Sequence, residues 1–132
     1  GGGWRNNVLA ALDRRIQASA SACWMTTGDH QQVYNFSGAV GTFCLLPGVW
    51  DRLDIQDLSI LAAPNATMVI SNSRDALFPE EGQVESARQI RAAFAWADCA
   101  EQFAYVNLPK PHCYDVALQA HACAWFEKHL LG

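Results

Sequence analysis

Lysine is scarce in this chain, with Lys110 and Lys128 its two examples. Seven arginines are scattered without forming a stripe, and the net charge is −4. A basic nucleic-acid-binding face is therefore not expected. No apolar run approaches the ~18 residues that a membrane-spanning helix needs. No basic segment followed by an apolar core marks a signal peptide. The five cysteines, Cys23, Cys44, Cys99, Cys113 and Cys123, are odd in number and contain no C-x-x-C pair. That pattern speaks against a disulfide framework and for reduced thiols. Internal repeats and low-complexity linkers are missing too, so the chain reads as one domain or part of one. What is present is core material: 51% of the 132 residues are apolar, which is ample for a packed globular unit.

The apolar spacing predicts alternating elements. Residues 4–13, with Val8, Leu9 and Leu12, read as a helix, and residues 16–24, small and partly alternating, as a short buried strand. Residues 26–50 are punctuated by Gly28, Gly38, Gly41, Pro47 and Gly48 and read as irregular. Residues 54–63 read as a short helix stopped by Pro64, and residues 67–71 as the clearest strand. Pro79-Glu80-Glu81 marks a helix start, because proline suits the first turn and carboxylates suit the positive end. That helix is expected to run to about Trp96 with Val84, Ala87, Ile90 and Phe94 on its inner face. Residues 103–108 alternate like a strand. A last helix is expected from an N-cap at Asp115, with Val116, Ala120, Cys123, Phe126 and Leu130 along its apolar stripe. Strands alternating with helices imply an α/β fold with a parallel sheet between helices.

Parallel sheets gather functional groups at the carboxyl ends of their strands. Asp75 follows the strand at 67–71, and His112 follows the strand at 103–108. A carboxylate that orients an imidazole is the acid and base part of a Ser-His-Asp machine. Serine, then Asp, then His is the chain order of α/β-hydrolases.

A set of motifs in order carries a resemblance. These are Gly2-Gly3-Trp4-Arg5 with the helix behind it, Leu46-Pro47-Gly48 with Leu53-Asp54, Ala62-Ala63-Pro64, Arg74-Asp75, and Phe78-Pro79. Together they resemble the C-terminal half of an α/β-hydrolase, similar to the dienelactone hydrolase and acetyl xylan esterase-like group. The resemblance implies that residues 1–132 are a partial domain starting inside the nucleophile elbow, with the N-terminal strands of the sheet absent. The elbow of that group reads G-x-S-x-G-G before an aromatic residue. Its serine would then be the residue immediately before Gly1, and Gly1 would supply one oxyanion-hole N–H. The implied activity is that of a serine carboxylester hydrolase with Asp75 as acid and His112 as base. The group often has a glycine before its catalytic histidine, whereas Pro111 stands here.

Aromatic residues in and beside the 26–50 segment are candidates for lining a substrate pocket: Trp24, Phe36, Phe43 and Trp50. The expected partner is a small-molecule ester, and no cofactor is expected. An alternative reading is a catalytically inactive, truncated or split product that binds a partner, either a separate N-terminal half or a second copy. A cytoplasmic location is favoured, and any signal peptide would lie upstream of Gly1. The spacing of His112, Cys113, His121 and Cys123 matches no structural zinc pattern, so no metal is expected. His30 reads as solvated, His121 and His129 as partly exposed on the last helix, and the sequons at Asn35 and Asn65 as accidental.

Overall fold

A computed structural model of the chain describes residues 1–34, 40, 48–49 and 51–132. It opens with helix α1 (Gly2–Leu12), strand β1 (Ala18–Ala22) and helix α2 (Gly28–Tyr34). The short helix α3 (Asp57–Ile60), strand β2 (Ala66–Asn72) and the long helix α4 (Glu80–Trp96) follow. A 3-10 turn (Ala100–Gln102) leads into strand β3 (Phe103–Leu108), helix α5 (Val116–Phe126) and a π-helical end (Glu127–Leu131). Among the described residues no helix is long and apolar enough to cross a membrane.

The sheet is parallel, in the order β1-β2-β3. Ala18 to Ala22 pair with Ala66 to Ile70, and Thr67 to Asn72 pair with Phe103 to Leu108. β2 is buried at every position, as a central parallel strand covered on both faces must be. Its alternate side chains divide the interior in two. Val69 faces a core built with Trp24, Phe78, Ala87, Ile90, Phe94 and Phe103, against which Trp4 of α1 also packs. Met68 and Ile70 face a second core with Leu118, Ala122 and Trp125 of α5.

The alternation of helices and strands matches the sequence expectation, but three local readings are corrected. The segment 26–50 begins with a helix rather than irregular chain. The residues that α2 buries are Gly28 and Gln31, so it has no apolar stripe to reveal it. Tertiary polar contacts hold it instead: Asp54 accepts from the Gly28 amide at 2.8 Å, and Gln31 donates to the Leu77 carbonyl at 2.9 Å. In α4, Ala87, Ile90 and Phe94 do face the core, but Val84 is half exposed and Gln83 and Ser86 are buried in its place. In α5 the buried stripe is Leu118, Ala122 and Trp125, while Val116, Ala120, Cys123 and Leu130 lie outside. Apolar residues ring that helix, so its sequence does not single out the inner face. The Asp115 N-cap is in place, its carboxylate accepting from the Ala117 and Leu118 amides.

Gly3 lies close against the end of β1 and the residue Trp24 beyond it. A Cβ there would meet Trp24 Cβ at 2.5 Å and the Ala22 carbonyl at 3.0 Å, whereas Gly1 and Gly2 have nothing within 4 Å. The glycine at position 3 therefore lets the helix rest on the strand.

Candidate active site

The loops after β2 and β3 meet at the carboxyl end of the sheet. Their pairing continues beyond the strands, with the Ser73 amide donating to Leu108 O at 2.8 Å and the Arg74 amide to Lys110 O at 3.0 Å. This extension carries Asp75 and His112 forward side by side. His112 Nδ1 lies 2.8 Å from Asp75 Oδ2. The carboxylate accepts only, so the proton of this bond belongs to Nδ1 and the lone pair of the neutral ring to Nε2. The Asp75 side chain is 1% exposed and that of His112 is 45% exposed, a buried anchor beneath an accessible ring.

Each partner is fixed from behind. Asp75 Oδ1 accepts from the Leu77 amide at 2.8 Å, and the Asp75 amide donates to Asn72 O at 3.1 Å. Asn72 Nδ2 donates to the carbonyls of Pro111 at 2.8 Å and Cys113 at 3.3 Å, the two residues flanking His112. Gln83 Nε2 donates to Asn72 O at 3.1 Å and to Phe78 O at 2.9 Å, which ties α4 to the same loop. Lys110 pairs with Asp115 at 2.6 Å, joining the His112 loop to the cap of α5.

Beside the pair lies a cavity of about 460 Å³. Gly1, Gly2 and Gly3 form one side, His112, Cys113 and Tyr114 another, and Trp24, Ile70, Leu77 and Phe78 supply apolar wall. Trp24 meets Phe78 edge-on at 5.0 Å and belongs to the core as well as to the lining. Phe36, Phe43 and Trp50 lie outside the described residues. The amino end of α1 opens on this cavity, and the aligned peptide dipoles there favour negative charge.

Cys23 is a member of the site that sequence reasoning missed. It follows β1, lines the cavity, and has a left-handed φ of 51°. Its thiol donates to Cys113 O at 3.1 Å, and burial pushes its pKa up. As an apolar-looking residue at a strand end it carried no chemical signal of its own. The described cysteines Cys23, Cys99, Cys113 and Cys123 are free thiols. The histidines outside the site are placed elsewhere. His30 is half-buried in α2 with Nδ1 2.6 Å from Thr27 Oγ1, His121 is exposed, and His129 is half-buried against Trp125 with ring centres 4.0 Å apart.

No protein-family model matches the sequence, and neither does any curated protein. Solved structures do match. A carbohydrate esterase family 15 glucuronoyl esterase from Caldicellulosiruptor kristjansonii superposes with a TM-score of 0.79 at 13% identity, over 98% of this chain and 41% of its own. The glucuronoyl esterase catalytic domain from Hypocrea jecorina gives 0.73 at 17% identity, over 99% of this chain and 42% of its own. The methylesterase BT1017 gives 0.68 at 20% identity, over 97% and 28%. The chain thus shares the fold of part of these proteins, and it spans less than half of their length.

Proposed function

We propose that the chain is the acid-and-base part of a serine carboxylester hydrolase whose nucleophile is the residue preceding Gly1. The observation that carries this reading is the 2.8 Å bond between Asp75 and His112 on the wall of a cavity at the amino end of α1. In that enzyme the serine hydroxyl attacks the ester carbonyl while His112 Nε2 takes its proton. His112 returns the proton to the departing alkoxide, and a water then repeats the cycle on the acyl-enzyme. Asp75 holds the ring in the required tautomer and offsets the charge of the imidazolium. The Gly1 amide serves as one donor to the oxyanion, supported by the dipole of α1. Trp24 and Phe78 shape the acyl or alcohol side of the pocket.

Because the chain spans under half of its structural neighbours, ester turnover is assigned to the longer protein. The names of those neighbours, glucuronoyl esterases and a methylesterase, supply the first esters to test. The experiment compares the chain with a version extended upstream through the residue before Gly1, on aryl acetate, methyl and glucuronoyl esters. Turnover that requires the extension, its serine and His112 is the expected result. Turnover by residues 1–132 alone, or an active extended protein indifferent to His112→Ala, would overturn the reading.

A second reading is a non-catalytic module that binds a partner. It draws on the position of β1, which among the described elements pairs on one side only, with β2. An extended protein that is folded, inactive on every ester and associated with a second chain would favour it.

A further inference from the structure

Three adjacent strands each end near one donor. Cys23 follows β1, Asp75 follows β2 and His112 follows β3. The thiol sulfur, a carboxylate oxygen and a ring nitrogen all lie within 4.8 Å of one another. Among the described residues this is the one place where three such donors converge. Hydrolysis has no use for Cys23, yet its sulfur is held toward the pair by Asn72 Nδ2 at 3.3 Å.

The donor mix is chemically specific. One sulfur, one nitrogen and one carboxylate oxygen suit a borderline-soft divalent ion and suit magnesium or calcium poorly. A tetrahedral zinc ion, with bonds of ~2.0–2.3 Å, sets its donors roughly 3.3–3.7 Å apart. The trio spans from 2.8 Å between Asp75 and His112 to at most 4.8 Å. Side-chain shifts of about an ångström close that difference. Three protein donors beside a cavity leave a fourth position open, as in zinc sites that take a water or a small ligand.

We propose that Cys23, Asp75 and His112 form a binding site for a thiophilic divalent cation such as Zn²⁺, which sequesters the acid and base of the site. On binding, the Cys23 S–H bond breaks, its proton passes to solvent, and a sulfur–metal bond forms with no change of oxidation state. The neutral His112 ring keeps one proton on the nitrogen that does not bind the metal. The Asp75–His112 hydrogen bond gives way to shared coordination. Binding rests on this geometry alone, and only the inhibition that follows rests on the hydrolase reading.

The test titrates Co²⁺ into the reduced chain and follows absorption. The expected result is saturable uptake of one ion per chain with a thiolate-to-cobalt charge-transfer band, displaced by Zn²⁺. Cys23→Ser abolishes the band, His112→Gln weakens binding by roughly tenfold or more, and Cys123→Ser leaves both unchanged. A parallel measurement on the wild-type chain asks whether Zn²⁺ protects Cys23 from iodoacetamide, read by mass spectrometry, so that a poorly folded variant does not decide the matter. Absence of saturable uptake, a band that survives Cys23→Ser in a folded protein, or an unprotected Cys23 overturns the site. In the extended enzyme, metal uptake without loss of ester turnover would instead overturn the hydrolase role of Asp75 and His112 and leave the metal site standing.

Discussion

Asn72 bridges the acid and the base: its amide nitrogen donates to Pro111 O at 2.8 Å, while its own carbonyl accepts from the Asp75 amide at 3.1 Å. The residue is fully buried at the end of β2. Replacing it by alanine leaves the Pro111 and Cys113 carbonyls short of a donor. Asn72→Ala is expected to cost about 1–3 kcal/mol, measured by urea denaturation, and to broaden the His112 ring resonances in NMR spectra. Unchanged stability with unchanged ring signals would show that the clamp does nothing.

Asp75→Asn tests the tautomer directly. An amide facing Nδ1 no longer demands a proton there, so the low-field Nδ1–H resonance of His112 should disappear. In the extended enzyme the same change should lower kcat by roughly 10⁴, the size seen when a triad acid is neutralised in a serine protease. A residual rate within tenfold of wild type would count against Asp75.

The three leading glycines should not behave alike. Gly3→Ala forces a methyl against Trp24 and the Ala22 carbonyl, an overpacking expected to cost about 1–3 kcal/mol. Gly2→Ala meets nothing within 4 Å and lies in a helix, so it should be neutral or gain up to about 1 kcal/mol. Thermal denaturation of the two variants separates them. Equal losses would contradict the close approach of α1 to β1.

On α5 the contrast is between stripes. Leu118 is 0% exposed and Val116 is 78% exposed. Leu118→Ala is expected to cost about 2–5 kcal/mol, whereas Val116→Ala should stay within about 0.5 kcal/mol. The reverse order in urea denaturation would restore the stripe that the sequence suggested.

Burial raises the pKa of the Cys23 and Cys99 thiols, and burial likewise raises that of Tyr105. Each group is more protonated in the folded chain than in the unfolded one. Stability from these groups is fully present below the ordinary thiol range and falls as pH rises through about 8.5 and beyond. The urea midpoint should decline on that side. Iodoacetamide at pH 8 should modify exposed Cys123 well before Cys23. A midpoint that rises with alkalinity, or Cys23 reacting first, would contradict the burial.

The elements that periodicity could reveal were those whose burial is apolar and one-sided or complete. β2 and β3 have short runs of strand-forming residues, and α4 announces itself by Pro79 and the two glutamates behind it. Positions of Asp75 and His112 followed from those strands, since a loop after a parallel strand lies at one end of the sheet. The misses share another cause. α2 is held by Asp54 and Gln31 through polar contacts made far away in sequence, and no local pattern encodes them. α4 turns Gln83 inward, where it donates to two carbonyls, that of Asn72 at the end of β2 and that of Phe78 in the loop beyond. The placement of Cys23 beside His112 depends on the order of strands in the sheet, which spacing along the chain does not express.

The hydrogen bonds from Ser73 to Leu108 and from Arg74 to Lys110 carry the ladder of β2 and β3 past the strands themselves. Acid and base therefore ride on one cooperative unit rather than on two independent loops. A backbone fluctuation that carries the His112 loop away from Asp75 must also strain the end of the central strand. The amides of Ser73 and Arg74 should then exchange with solvent as slowly as the heart of the sheet.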